Sequence, residues 1–213
     1  MPKTLTRNLK DEIISCERCS RLRAHCIEIA KTKRRAFQDQ EYWGRPIPGF
    51  GSFDAEFFIL GLAPAAHGAN RTGRMFTGDN SGVWLYRALH KAGFANQSHC
   101  DSADDGLQLI NTFITASARC APPDNKPTRE EIENCRPFLE KEFQLSRQTK
   151  VYLALGKIAF DQLVRHLKKQ NIKSTAKLVF THGFEAQLED GKWILASYHP
   201  SQQNTFTKRL TEP

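Results

Sequence analysis

Phe57-Phe58-Ile59-Leu60-Gly61 runs without a break into Leu62-Ala63-Pro64-Ala65-Ala66-His67-Gly68-Ala69-Asn70-Arg71-Thr72-Gly73-Arg74-Met75-Phe76-Thr77-Gly78-Asp79. The first five residues are a short, bulky apolar run and read as a buried strand. A long Gly-rich loop follows. After Asp79-Asn80-Ser81, the residues Val83, Tyr86 and Leu89 recur at helical spacing, closed by Gly93 as a cap. Three further runs of the same kind lie downstream: Thr112-Phe113-Ile114-Thr115, Val151-Tyr152-Leu153-Ala154-Leu155 and Trp193-Ile194-Leu195-Ala196-Ser197-Tyr198. Helical patterns fall between them. Thr128 with Glu131 is a capping box opening a helix with Ile132, Cys135, Phe138 and Leu139 on one face. Residues 157–169 repeat the theme with Ile158, Leu163 and Leu167. Nearly all-apolar strands alternating with helices predict an α/β fold whose parallel sheet is covered on both faces. Ligands in such folds bind beyond the carboxyl ends of the strands. The polar or Pro/Gly-rich segments 62–80, 119–127 and 199–209 are therefore where chemistry is expected.

The chain has 213 residues, a length that favours a single domain, and its 39% hydrophobic and 25% charged residues are ordinary globular material. No apolar run approaches the roughly 20 residues of a membrane helix. Met1-Pro2-Lys3-Thr4-Leu5-Thr6-Arg7 lacks the apolar stretch of a secretory signal, so a cytoplasmic protein is expected. The net charge of +8 is unevenly placed: +5 in residues 1–50, −1 in 51–150 and +4 in 151–213. Arg18, Arg21 and Arg23, and the run Lys31-Lys33-Arg34-Arg35, are either a solvated basic face or a phosphate-tracking surface.

Six cysteines in a leaderless chain are poorly explained by structural disulfides. Cys16 and Cys19 form a C-x2-C pair, and Cys120 and Cys135 flank the Pro-rich stretch Ala121-Pro122-Pro123-Asp124-Asn125-Lys126-Pro127. Together they make a tetrathiolate site tying the N-terminal arm to the third quarter of the chain. Zinc and an iron–sulfur cluster both accept four thiolates, and the 14-residue gap leans toward the cluster. Taken separately, Cys135 reads as a buried small hydrophobe and C-x2-C as a redox pair. Cys26 and Cys100 have no evident partner.

In the first loop, small residues let a ligand approach the backbone, Phe76 is placed to stack on a flat ring, and Asp79 is the one carboxylate. Asp79 also suits the N-cap of the following helix, and His67 suits a loop hydrogen-bonder. His199, after the last strand and before Pro200, faces the expected cleft. Ser201, Gln202, Gln203, Asn204 and Thr205 supply donors that suit phosphate oxygens.

The Gly61–Asp79 segment, residues 120–127 and His199-Pro200-Ser201-Gln202-Gln203-Asn204-Thr205 resemble the signature loops of uracil-DNA glycosylases, in the broad-specificity type b (family 5) branch. The resemblance spans about Cys16 to Leu210. It implies a three-layer α/β/α sandwich with a four-stranded parallel sheet, forming a single domain over 1–213 with an iron–sulfur-anchored arm at about 1–50. It implies a structural 4Fe–4S cluster on Cys16, Cys19, Cys120 and Cys135. It also implies removal of uracil, and of hypoxanthine or xanthine, from DNA containing deaminated bases, by a monomer. Leu62 and Ala63 stand where other branches carry a polar residue. The family generally continues into a helix, whereas this sequence stops at Thr211-Glu212-Pro213, implying truncation or a dispensable helix.

Joined to chemistry, the resemblance implies three groups of residues. Asp79, His199 and Asn125 act in catalysis, with Asp79 orienting water, His199 donating to the leaving base and Asn125 lining the pocket. Gly61, Ala63, Pro64, Ala65, His67 and Phe76 bind the flipped base. Ser201, Asn204 and Arg209 grip phosphates. A non-catalytic, zinc- or iron–sulfur-stabilised nucleic-acid-binding module shares the charge and cysteines but has no need of both loops. An iron–sulfur electron carrier has no use for the basic ends.

Overall fold

The structure, a computed structural model, describes residues 3–211. Met1 and Pro2, which open the segment where no secretory signal is expected, and the terminal Glu212-Pro213 lie outside the described residues. Two helices open the chain, α1 (Lys3–Ile14) and α2 (Ser20–Thr32). There follow β1 (Phe50–Gly51), β2 (Phe57–Gly61), α3 (Ala69–Thr72), α4 (Asn80–Lys91), β3 (Thr112–Ala116) and α5 (Arg129–Leu145). The last part is β4 (Val151–Leu155), α6 (Lys157–Lys169), β5 (Phe184–Gln187), β6 (Trp193–Ser197) and α7 (Gln202–Phe206).

The strands form one sheet in the order β1-β3-β2-β4-β6-β5. The four strands β3, β2, β4 and β6 are parallel, with Ile59 between Ile114 and Leu153. The expected parallel sheet is therefore present, but antiparallel edge strands β1 and β5 extend it to six. These edges carry a weak sequence signal. Phe50-Gly51 is two residues inside a Pro/Gly-rich stretch, and Phe184-Glu185-Ala186-Gln187 offers only two apolar side chains.

Strand pleating divides the apolar residues between two cores. Phe58, Leu60, Phe113, Tyr152 and Ile194 face α1, α5 and α6, where Ile13, Phe138, Phe143, Phe160 and Leu163 cover them. Ile59, Ile114, Ala116 and Leu155 face α4, covered by Leu85, Tyr86 and Leu89. Three layers result. The helix faces differ from expectation at two positions: Val83 and Ile158 are exposed, because the buried stripes run through Leu85-Leu89 and Ala159-Phe160-Leu163 instead. The capping box of α5 forms as expected. Thr128 Oγ1 accepts the Glu131 N–H at 3.2 Å, and Glu131 accepts the Thr128 N–H at 2.7 Å.

Between β3 and α5, Arg119 and Glu142 form an ion pair at 2.6 Å, each side chain only 1% exposed. Thr115 Oγ1 donates to the same carboxylate at 2.7 Å. Breaking such a pair leaves an uncompensated buried charge.

Candidate active site and cysteine cluster

A cavity of about 680 Å³ opens at the carboxyl ends of the parallel strands. Three loops meet there: the one after β2, the one after β3 and the one after β6. From them the cavity receives Ala63, Pro64, Ala65 and His67, then Phe76 and Asp79, then Asn125, and finally His199 and Ser201.

Asp79 fills both roles that the sequence offered it. As N-cap of α4, its Oδ1 accepts the Gly82 N–H at 3.0 Å, while the residue also lines the cavity. Gly68 makes this possible, since a Cβ there would lie 2.0 Å from Asp79 Oδ2 and 2.7 Å from its Cγ. Burial pushes the Asp79 carboxyl above its usual range, and the Gly82 and Ser81 amides and Arg71 oppose that rise. The loop itself is stapled by the buried Arg71. Its Nε donates to His67 O at 2.9 Å and its Nη2 to Gly78 O at 2.9 Å, so both ends of the loop hang on one guanidinium. Arg71 also stacks over Phe37 at 4.0 Å.

Phe76 has φ +53°, a left-handed conformation unusual for an aromatic residue and of the kind that recurs at functional sites. Its ring stacks on His199 with centroids 5.6 Å apart and planes at 28°. Gly61 does not line the cavity. It backs the Phe76 ring, where a Cβ would come within 2.8 Å of Cζ. The Gly61 and Leu62 carbonyls are occupied by the Ser117 and Ala118 amides. Ala63, Pro64 and Ala65 line the cavity, with the Ala65 carbonyl taken by the Gly68 and Asn70 amides.

Burial alone takes the His199 pKa down to about 4, so the imidazole is neutral at physiological pH. Its main chain is fixed by Asn204, whose Nδ2 donates to His199 O at 2.8 Å, and by the Ser201 N–H on the same oxygen. Ser201 caps α7 by accepting the Asn204 N–H at 3.4 Å. Arg209 is exposed on the segment beyond α7, and its N–H bonds Asn204 O. Asn125 is exposed at the mouth with φ +56°, next to Asp124 at +53°. This turn is braced from α2, where Arg21 donates to Lys126 O at 3.2 Å and binds Glu131 through two 2.7 Å bonds. His67 Nδ1 bonds Tyr42 Oη at 3.1 Å. Burial, then Arg34, Arg71 and His25, hold its pKa low.

Nothing in the sequence marks Arg71, Gly68 or Asn204 as organisers of the site. An arginine, a glycine and an asparagine in polar loops look like any others until their contacts are visible. The N-terminal arginines each have a partner within the chain, Arg18 and Arg21 on the exposed surface and Arg23 buried. Arg18 lies 4.7 Å over Phe138 and donates to Asn134 O. Arg21 binds Glu131, and Arg23, 7% exposed, binds Glu17 and Gly44 O.

These arginines surround the cysteines. Cys16 and Cys19 are half-buried, Cys120 and Cys135 buried, and none is in a disulfide. Desolvation pushes the Cys135 thiol up to about 11, with Cys19 and Cys16 adding to the rise. Cys19 is raised mainly by burial, with Cys16 contributing. Cys120 is raised first by its hydrogen bond with Cys26 and then by burial, with Cys135 adding. Cys135 is thus within electrostatic reach of Cys16 and Cys19 and acts on Cys120, whose direct partner is Cys26. Among the described residues, no group of three or more His, Cys, Asp or Glu is arranged as a metal-holding cage. Cys26 neighbours Cys120, and Cys100 lies under the Asp79 loop, where its carbonyl accepts the Gly78 N–H at 2.8 Å.

The three loops thus bring an aromatic ring, a half-buried carboxylate and an imidazole to one cavity at the strand ends. The family model for the uracil DNA glycosylase superfamily matches residues 48–213, and the chain belongs to that superfamily. It is 52% identical over 204 residues to a type-5 uracil-DNA glycosylase of Mycobacterium leprae, covering 95% of this chain and 88% of that protein. A type-5 enzyme of Pyrobaculum aerophilum is 40% identical over 94% of this chain and 84% of its own length. A type-4 uracil-DNA glycosylase of Archaeoglobus fulgidus is 29% identical over 70% of this chain and 58% of its own.

Proposed function

We propose that this chain is a DNA glycosylase that hydrolyses the N-glycosidic bond of uracil in DNA, the first step of base excision repair, and accepts hypoxanthine and xanthine as well. The observation that carries this reading is the convergence of Phe76, Asp79 and His199 on one cavity from loops about 120 residues apart. A base inside a duplex is out of reach, so it is flipped out at a cost of a few kcal/mol. It then stacks on Phe76, with its edge against the backbone of Ala63, Pro64 and Ala65 and His67 nearby. Backbone recognition discriminates little between deaminated pyrimidines and purines, which is the basis for the broad specificity.

Bond cleavage leaves positive charge on the sugar and negative charge on the base. Neutral His199 donates an N–H bond to a base oxygen as that charge grows, a contribution of about 2.7–4 kcal/mol for a single well-placed donor. Asp79 orients the attacking water and stabilises the cationic sugar. Asn125 lines the mouth and contacts base or water. Ser201 and Arg209 grip phosphate, and Asn204 serves this loop through the His199 carbonyl. The enzyme acts as a monomer of one domain. No helix among the described residues is long and apolar enough to cross a membrane.

The donor chemistry of Cys16, Cys19, Cys120 and Cys135 suits a 4Fe–4S cluster: four thiols free of disulfides, with Cys135 within electrostatic reach of the other three. Such a cluster has a structural role, pinning the arm of residues 1–50 beside the loop that carries Asn125. Purified protein then carries about four iron and four sulfide, whereas colourless protein with one zinc refutes this assignment. The function is tested with a uracil-containing oligonucleotide followed by alkali. Strand scission at the uracil supports the glycosylase. An intact strand that the protein nevertheless binds makes it a binding module.

A further inference from the structure

The cavity is larger than a single heterocycle. Its roughly 680 Å³ run from Phe76 and His199 past His67 to Arg34 and Phe37, within the roughly 300–1,000 Å³ that hold ligands of drug size. Space therefore remains for sugar and phosphate. At the outer end two guanidiniums, those of Arg34 and Arg71, act on His67. Arg71 is consumed by the loop it staples. Arg34 is exposed, and its guanidinium has no hydrogen bond or ion pair among the described residues. Its main chain is fixed, the N–H donating to Tyr42 Oη at 3.4 Å, and that hydroxyl in turn bonds His67. Lys126, exposed beside Asn125 on another loop, is the second cation lining the cavity without an ion pair. Two carboxylates line the same space, the exposed Asp124 near Lys126 and the half-buried Asp79.

We propose that Arg34, with Lys126, holds the phosphodiester groups flanking the flipped nucleotide, so that the cysteine-bearing arm forms one wall of the nucleotide site. The inference rests on the base-flipping reading above. A guanidinium on an anchored main chain, with its head unpaired, is suited to bidentate phosphate binding. Because Arg34 lines the cavity itself, its contact forms when the nucleotide enters and is missing on stacked DNA. That separates it from cations that track the backbone everywhere.

The test measures equilibrium binding to an oligonucleotide carrying one 2′-fluoro-2′-deoxyuridine, which resists hydrolysis, and to the same strand with thymidine. Salt is varied from 50 to 200 mM. Arg34→Gln is expected to reduce the slope of log K against log salt by about 0.7–0.9 on the fluorinated strand and leave the thymidine slope unchanged. Lys126→Gln should do the same. Arg34→Lys keeps the charge and the slope, and Lys177→Gln, exposed outside the cavity, is the control. Circular dichroism confirms that each variant is folded. An unchanged slope, or an equal loss on both strands, overturns the proposal. A wild-type protein that leaves uracil in place refutes the glycosylase reading instead, whatever the slopes.

Discussion

Gly68→Ala places one methyl group against the carboxylate assigned to the chemistry. The added Cβ would stand 2.0 Å from Asp79 Oδ2, 2.7 Å from Cγ and 2.9 Å from Cβ. Ordinary contact begins near 3.4 Å, so the carboxylate has to retreat by about 1.4 Å. Glycine φ at this position is −98°, so the substitution acts through the close contact rather than through a left-handed backbone. A misplacement of about 1 Å costs on the order of 100-fold in rate, equivalent to about 2.7 kcal/mol of transition-state stabilisation. The same retreat strains the cap on Gly82, whose loss costs about 1 kcal/mol of stability. The assay is single-turnover release of uracil from a labelled oligonucleotide, alongside binding to the fluorinated strand and a urea melt. The expected result is a rate about 100-fold lower, affinity within a few-fold of wild type and a small loss of stability. A folded Gly68→Ala protein releasing uracil within threefold of the wild-type rate would refute the placement of Asp79 in the reaction.

The proposed mechanism needs Asp79 ionised, so the single-turnover rate should fall as pH drops through its raised pKa, above the ordinary 3.8. His199, at about 4, is already neutral near pH 6.5, so a limb at 6.5 that vanishes in His199→Gln would contradict its burial. Glu142→Gln leaves Arg119 buried without its counter-charge and should cost about 3–5 kcal/mol in denaturant melts; a loss under 1 kcal/mol would mean that water reaches the pair. Asn204→Ala removes one of the two hydrogen bonds on the His199 carbonyl and should lower the release rate more than it lowers DNA affinity. A loss confined to affinity would return Asn204 to the phosphate-gripping role suggested by its loop.

The four central strands were legible because each is a short, nearly continuous apolar run, the pattern that burial on both faces demands. The edge strands were not. A two-residue bridge and a strand with one exposed face leave too little apolar pattern to see. The α5 helix was legible down to its capping box, since that signal is local in sequence. Val83 and Ile158 were misplaced because spacing gives the period of a helix but not which stripe the sheet will cover.

At the site, the sequence by itself determined the chemistry available: a carboxylate, an aromatic ring and a histidine in loops that follow strands, and four cysteines in two groups. It could not decide what each group touches. Tertiary structure made Asp79 both cap and cavity residue by setting it against Gly68, and turned Asn204 toward the His199 carbonyl. It also engaged Arg18 and Arg21 with α5 at the surface and buried Arg23 against Glu17 and Gly44, leaving Arg34 as the basic side chain of the arm at the cavity. The physical reason is range. Caps and apolar periods are set within a few residues, whereas a charge is neutralised by whatever the fold brings beside it.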